Sequence, residues 1–224
     1  SIMKNIAVIM AHPDDEVLGC GATISRLSRE GSEVHILILA TGLTSRSISN
    51  EKSIKELQEH ANSAASCLGA KSITFDDFPD NQMDSVPLLK IVKKIENFLI
   101  NTNPDIIFTH HNGDVNIDHT VTQRAVLSAA RSLPGGKIRE LYASEVLSSS
   151  EFGYSNNRIR PDCYFILEEK DIVAATNALS CYKTEIREWP HPRSIKAMET
   201  SYNLRGSECG FFAAETFEIL KIIK

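Results

Sequence analysis

No Cys-x-x-Cys pair occurs in the chain, and its five cysteines (Cys20, Cys67, Cys163, Cys181 and Cys209) are odd in number and widely spaced. A disulfide framework and a thiolate zinc site are therefore not expected, and a reducing cytoplasm suits such thiols best. No apolar run approaches the ~18 residues of a membrane-spanning helix, so no integral membrane segment is expected. The first residues show no basic stretch followed by a long apolar one, so no signal peptide is expected. There is no cluster of lysine and arginine, and the net charge is −5. That balance argues against an electrostatic grip on nucleic acid or on anionic membrane. Internal repeats and low-complexity segments are lacking too, and there is a single tryptophan, Trp189.

What is present is an ordinary globular composition, 42% hydrophobic and 24% charged over 224 residues, enough for one domain with a sizeable core. Apolar, β-branched runs at 4–10, 33–40, 71–75 and 105–109 read as buried strands. Between and after them lie helical patterns at 19–30, 51–68, a stripe from Leu88 to Leu99, and 119–133, closed by Gly31, Gly69, Pro104 and Pro134. The order β-α-β-α-β-α-β-α implies an α/β fold, a Rossmann-like three-layer αβα sandwich with a mostly parallel sheet. Beyond residue 137 the pattern loosens. Strands are expected at 138–147 and 163–167, helices at 169–180 and 194–204, an excursion at 148–160, and 206–224 is ambiguous. The chain reads as one domain, with 1–136 as the core and 137–224 shaping the substrate site. Whether copies assemble as a homo-oligomer is left open.

In such folds ligands bind beyond the carboxyl ends of the strands. Four polar loops should converge there: 11–18, 41–50, 77–85 and 110–118. The first holds "AHPDDEVLGCG", with three adjacent acids after a histidine. His12 and Asp15 are good ligands for a borderline dication such as Zn²⁺. A bound cation also relieves the repulsion, since one carboxylate can bind it while Asp14 stays free. Glu16 then complements the dipole of the helix that follows. Taken alone, however, the same five residues also read as a capped helix start. The last loop, "THHNGDVNIDHT", should supply a third ligand. His119 fits best, at a helix start, with Asp118 beside it to hold an imidazole by hydrogen bonding. Roles for His110 and His111 stay open, and Asp114 and Asn116 read as loop-formers. Gly19 and Gly21 suggest a dinucleotide fingerprint, but its third glycine would fall at Ile24 and the acids would repel a pyrophosphate.

"AHPDDEVLGCG" with a later "DH" at a helix start resembles the PIG-L/LmbE-like family of zinc-dependent de-N-acetylases. "FDDFPDNQMD", "GDVNIDH" and the tail "RGSECGFFAAETFEI" extend the similarity over most of the chain. The resemblance implies zinc held by His12, Asp15 and His119, with Asp14 as general base and an N-acetylglucosamine-like sugar as substrate. Many members place a further histidine three residues before the third ligand. This chain has Asn116 there, so Asp118 or His110 would have to serve. An arginine found early in the second helix of some members is replaced near Leu57, leaving Arg46 as a weak substitute. Trp189 reads as a sugar platform or a packing anchor, and Tyr182 and Arg193 stay open. Two other readings stand beside the deacetylase: a thiol-conjugated glucosamine as substrate, and a non-catalytic sugar- or nucleotide-binding protein on the same scaffold.

Overall fold

The computed structural model describes residues 3–41, 49–154 and 157–224. Arg46, and most of the 41–50 loop, lie outside the described residues. β1 (Asn5–Met10) is apolar and β-branched, and all but its first residue are buried. Its side chains alternate between two cores, as the two-residue period of a strand requires. Ile6, Val8 and Met10 join one cluster, and Ala7 and Ile9 the other. The first core is closed by α1 (Asp15–Arg29), α2 (Ser49–Leu68), α5 (Glu169–Cys181) and α6 (Ile195–Cys209). The second is closed by α3 (Leu88–Thr102) and α4 (Ile117–Ala129). The result is three layers, helices on both faces of one sheet.

The other strands are β2 (Glu33–Ile38), β3 (Ser72–Phe75), β4 (Ile106–His110), β5 (Glu140–Ser144), β6 (Cys163–Ile166) and β7 (Ala214–Ile222), in the order β3-β2-β1-β4-β5-β7-β6. β1 to β5 are parallel to one another, and β7 is antiparallel to both β5 and β6. β1 pairs with β2 on one side and β4 on the other. The chain therefore winds outward in opposite directions from the β1/β4 pair, and the connections after these two strands leave a crevice between them. Among the described residues no helix is long and apolar enough to cross a membrane.

Several boundaries differ from the sequence reading, each for a local reason. α1 starts at Asp15, not at 19, because Asp15 and Glu16 already form its first turn. The apolar pattern is interrupted where Cys20 leaves helical geometry (φ −153°) between two glycines. α4 runs from Ile117 to Ala129, not 119–133. Asn116 caps it by accepting from the Asp118 amide, and Pro134 disfavours helix just before it. The ambiguous 206–224 stretch holds the end of α6, a left-handed Gly210 (φ 80°) and the long β7. Gly206 is required by packing, since a Cβ there would lie 2.6 Å from the Ala213 backbone.

Candidate active site

The loops after β1 and β4 meet in the crevice. Asp14, between them and α1, adopts the left-handed conformation (φ 94°), uncommon for a residue with a side chain and a mark of local strain. The strain is held from both sides. The Asp14 amide donates to Glu16 Oε2 at 3.0 Å, and its carbonyl accepts from the amides of Val17 and Leu18. Glu16 is fully buried and also accepts from the Tyr182 hydroxyl. Burial raises the Glu16 pKa to about 7, opposed by the Tyr182 bond. Glu16 is thus a strut for the loop, a role beyond the dipole complement expected of it.

His12, Asp15 and His119 come together. His12 Nδ1 lies 3.3 Å from His119 Nε2 and 3.3 Å from Asp15 Oδ2, and His119 Nε2 lies 3.1 Å from the same oxygen. The outward nitrogen of each ring is fixed by a carboxylate. His12 Nε2 donates to Asp118 Oδ2 at 2.8 Å, and His119 Nδ1 to Asp114 Oδ2 at 2.9 Å. In the neutral rings these bonds set the tautomers, leaving both inward nitrogens with a lone pair facing Asp15. Three donor atoms about 3.1–3.3 Å apart match the edges of a tetrahedron whose centre lies about 2.0 Å from each, the zinc–nitrogen distance. Two lone pairs and a carboxylate oxygen in such proximity repel unless a cation or protons lie among them, so the donor set fits a divalent metal.

Protonation tendencies follow the same geometry. Burial disfavours charge on His12, but the bonds to Asp118 and Asp15 outweigh it and raise its pKa. Burial also opposes charge on His119, yet Asp15 and Asp114 lift it to about 9. Asp114 pays the desolvation cost of burial, but His119 and Ser149 hold its pKa at about 2. In Asp118 the bonds from His12 and the Met83 and Asn81 amides outweigh burial and lower the pKa. Asp14 goes the other way: burial, then Asp15 and Glu185, raise its pKa, and Arg193 partly offsets them.

A second trio, His12, Asp80 and Asp118, also lies close enough to hold an ion. It uses His12 through the nitrogen whose proton Asp118 already accepts. Asp118 also accepts the amides of Asn81 at 2.7 Å and Met83 at 2.9 Å, so its oxygens are occupied. The trio centred on Asp15 is the better fit.

Around these groups opens a cleft of about 400 Å³. Asp14, Asp80, Glu185 and Arg193 give it polar walls, and Ile54 and Leu57 of α2 give it an apolar one. Arg193 Nη1 lies 3.1 Å from Glu185 and 3.9 Å from Asp14 Oδ2. The family model described as PIG-L, GlcNAc-PI de-N-acetylase, matches residues 7–130, more than half of the chain, and takes in both site loops. The chain belongs to the PIG-L family. A relative in Escherichia coli K12 carrying the name uncharacterized deacetylase YaiS is 29% identical over 136 residues, 58% of this chain and 70% of the relative. The fold is shared with the N,N'-diacetylchitobiose deacetylase of Pyrococcus horikoshii, at TM-score 0.77 and 19% identity over 98% of this chain and 85% of that one. It is shared equally with GalB, a 4-carboxy-2-hydroxymuconate hydratase of Pseudomonas putida, at TM-score 0.77 and 21% identity over 99% and 98%. The PIG-L fold alone therefore does not choose the reaction.

As the sequence reading expects, the structure brings His12, Asp14, Asp15, Asp118 and His119 of this PIG-L chain to one place. His110 stacks on His119 with ring centroids 3.8 Å apart, and its Nε2 accepts from the Ala11 amide at 2.8 Å. Burial and the nearby His119 lower its pKa to about 4, so it is a neutral packing and positioning group. His111 turns away, 3.2 Å from Glu218 on β7. Trp189 is about half exposed with Lys196 over its ring, outside the cleft lining. Asp114, read as a loop-former, is the partner of His119. It also accepts from the Ser149 and Ser150 hydroxyls. The sequence reading does not single out Asp80. The signal that could have found both is their position in loops expected on the same rim.

Proposed function

We propose that this chain is a zinc-dependent de-N-acetylase that hydrolyses the N-acetyl group of an N-acetylglucosamine-like sugar. His12, Asp15 and His119 are the metal ligands, Asp14 is the general base, and Asp118 and Asp114 hold the two imidazoles. The observation that carries this reading is the convergence of three metal-donor atoms on one point beside an unligated, buried carboxylate. A zinc ion bound there would polarise the amide carbonyl and make water a better nucleophile near neutral pH.

The residues divide the remaining work. Asp14, its pKa raised by burial, is suited to take a proton from the attacking water and to return it to the nitrogen as the amide C–N bond breaks. The products are acetate and a free amine. Arg193, 3.9 Å from Asp14, partly offsets the rise in that carboxyl's pKa and so favours the ionised base. The acids Asp80 and Glu185 favour the ammonium product, and Ile54 and Leu57 offer an apolar wall. Residues 137–224 contribute to substrate choice through Glu185 and Arg193.

The test is a substrate panel for the zinc-loaded chain: N-acetylated sugars, nucleotide sugars and thiol-linked glucosaminides, scored for acetate and free amine. Acetate and amine released in equal amounts is the expected result. A chain that holds metal and releases acetate from none of them is instead a binding protein, or a hydratase like GalB, which would add water without losing acetate.

A further inference from the structure

Two thiols far from the candidate metal site lie side by side. Cys67 is exposed in the last turn of α2, and Cys181 is the half-buried last residue of α5. Their Sγ atoms are 3.8 Å apart although 114 residues separate them in sequence. The encounter is built into the fold. Ala64 and Leu68 of α2 and Ala175, Ala178 and Leu179 of α5 share one buried cluster, against which Cys181 packs. Both cysteines stand where their helices end, before Gly69 in the left-handed region (φ 73°) and before Tyr182 with non-helical dihedrals. Closing from contact to the ~2.05 Å of a disulfide thus needs side-chain rotation at two helix ends, not a rearrangement of the sheet. Cys181 also donates to the Asn177 carbonyl at 3.4 Å, so what sets the pair apart from the remaining thiols is the sulfur neighbour. Cys20 is buried, with its thiol against the Glu16 carbonyl, Cys209 bonds the Arg205 and Gly206 carbonyls, and Cys163 is on β6.

We propose that Cys67 and Cys181 are a redox modification site, forming a reversible intramolecular disulfide that pins α2 to α5. The oxidant is a small-molecule disulfide such as glutathione disulfide. The exposed Cys67 loses its proton and its thiolate attacks one sulfur, forming a mixed disulfide and expelling one glutathione thiolate. Cys181 loses its proton, attacks the Cys67 sulfur and expels the second. The protein gives up two protons and two electrons, and the oxidant leaves as two glutathione thiols. The bridge would join α2, which supplies Ile54 and Leu57 to the cleft, to α5, which leads into Tyr182, the brace of Glu16.

The experiment treats the full chain with glutathione disulfide, alkylates the remaining thiols and maps peptides without reduction. Titratable thiols should fall from five to three, with one crosslinked peptide joining Cys67 to Cys181 in the monomer. A thiol reductant should restore all five. In Cys181→Ser the bridge should be absent and Cys67 should stop as the glutathione mixed disulfide, whereas Cys163→Ser should bridge as the parent does. Five thiols still titrating, a bridge between other cysteines or between chains, or two separate glutathione adducts would each overturn the proposal. The parent chain alone can return any of these, so the test does not depend on a variant folding.

Discussion

Replacing Asp118 by asparagine isolates the idea that the imidazoles are held for a metal. Asp118 receives three hydrogens: His12 Nε2 at 2.8 Å and the Asn81 amide at 2.7 Å on one oxygen, and the Met83 amide at 2.9 Å on the other. An asparagine has one acceptor oxygen. Its best placement keeps that oxygen toward His12 and Asn81 and turns the amide NH₂ toward the Met83 N–H, two donors face to face. The unsatisfied buried pair should cost about 1–3 kcal/mol of stability. The bond that survives to His12 is no longer charge-assisted, so the imidazole becomes a poorer ligand. Losing such a partner typically weakens metal binding by about 10–100-fold. Asp114→Asn makes the same test on His119. Zinc affinity would be measured by competition with a chromogenic chelator, and folding by circular dichroism, with the exposed Asp84→Asn as control. A folded Asp118→Asn chain that binds zinc as tightly as the parent would refute the reasoning.

Tyr182→Phe leaves the buried Glu16 without its hydroxyl donor, and urea unfolding should show a loss of about 1–3 kcal/mol. An unchanged midpoint would mean the strut carries no load. Glu215 offers a pH test. It is buried on β7, accepts the Thr23 amide at 2.7 Å, and burial raises its pKa to about 8. The folded state then holds the Glu215 proton more tightly than the unfolded chain, so the stability tied to it is complete below the ordinary glutamate pKa of about 4.3 and is lost as pH rises to about 8. Glu215→Gln should therefore gain stability over the parent between pH 5 and 9, by up to a few kcal/mol, seen as a diverging pair of urea midpoints. Parallel midpoints across that range would contradict it.

The parts of this molecule governed by local rules are readable in its sequence. The unbroken apolar run of β1 and the stripe of α3 place the strands and layers, and the strand-end rule points to the rim where His12, Asp15 and His119 meet. What is hidden depends on partners distant in the chain. β7 is an edge-like alternating segment until it inserts antiparallel between β5 and β6. Glu16 reads as a helix-start acid until Tyr182, 166 residues on, is seen against it. Asp114 reads as a turn residue because its own turn bonds, such as that from the Asn116 amide, are real. Its second role depends on how α4 presents His119. The start of α1 is hidden because a first turn made of acids carries no apolar period.

The most direct measurement pairs metal content with acetate release for the parent chain and for Asp14→Asn. The parent is predicted to hold one zinc ion and to release acetate from an N-acetylglucosamine-like substrate. Asp14→Asn should keep the metal, because Asp14 is not a ligand, and lose activity by about 10²–10⁴-fold, the usual worth of a general base. A parent chain that binds no divalent metal, or an Asp14→Asn chain as active as the parent, would contradict the account.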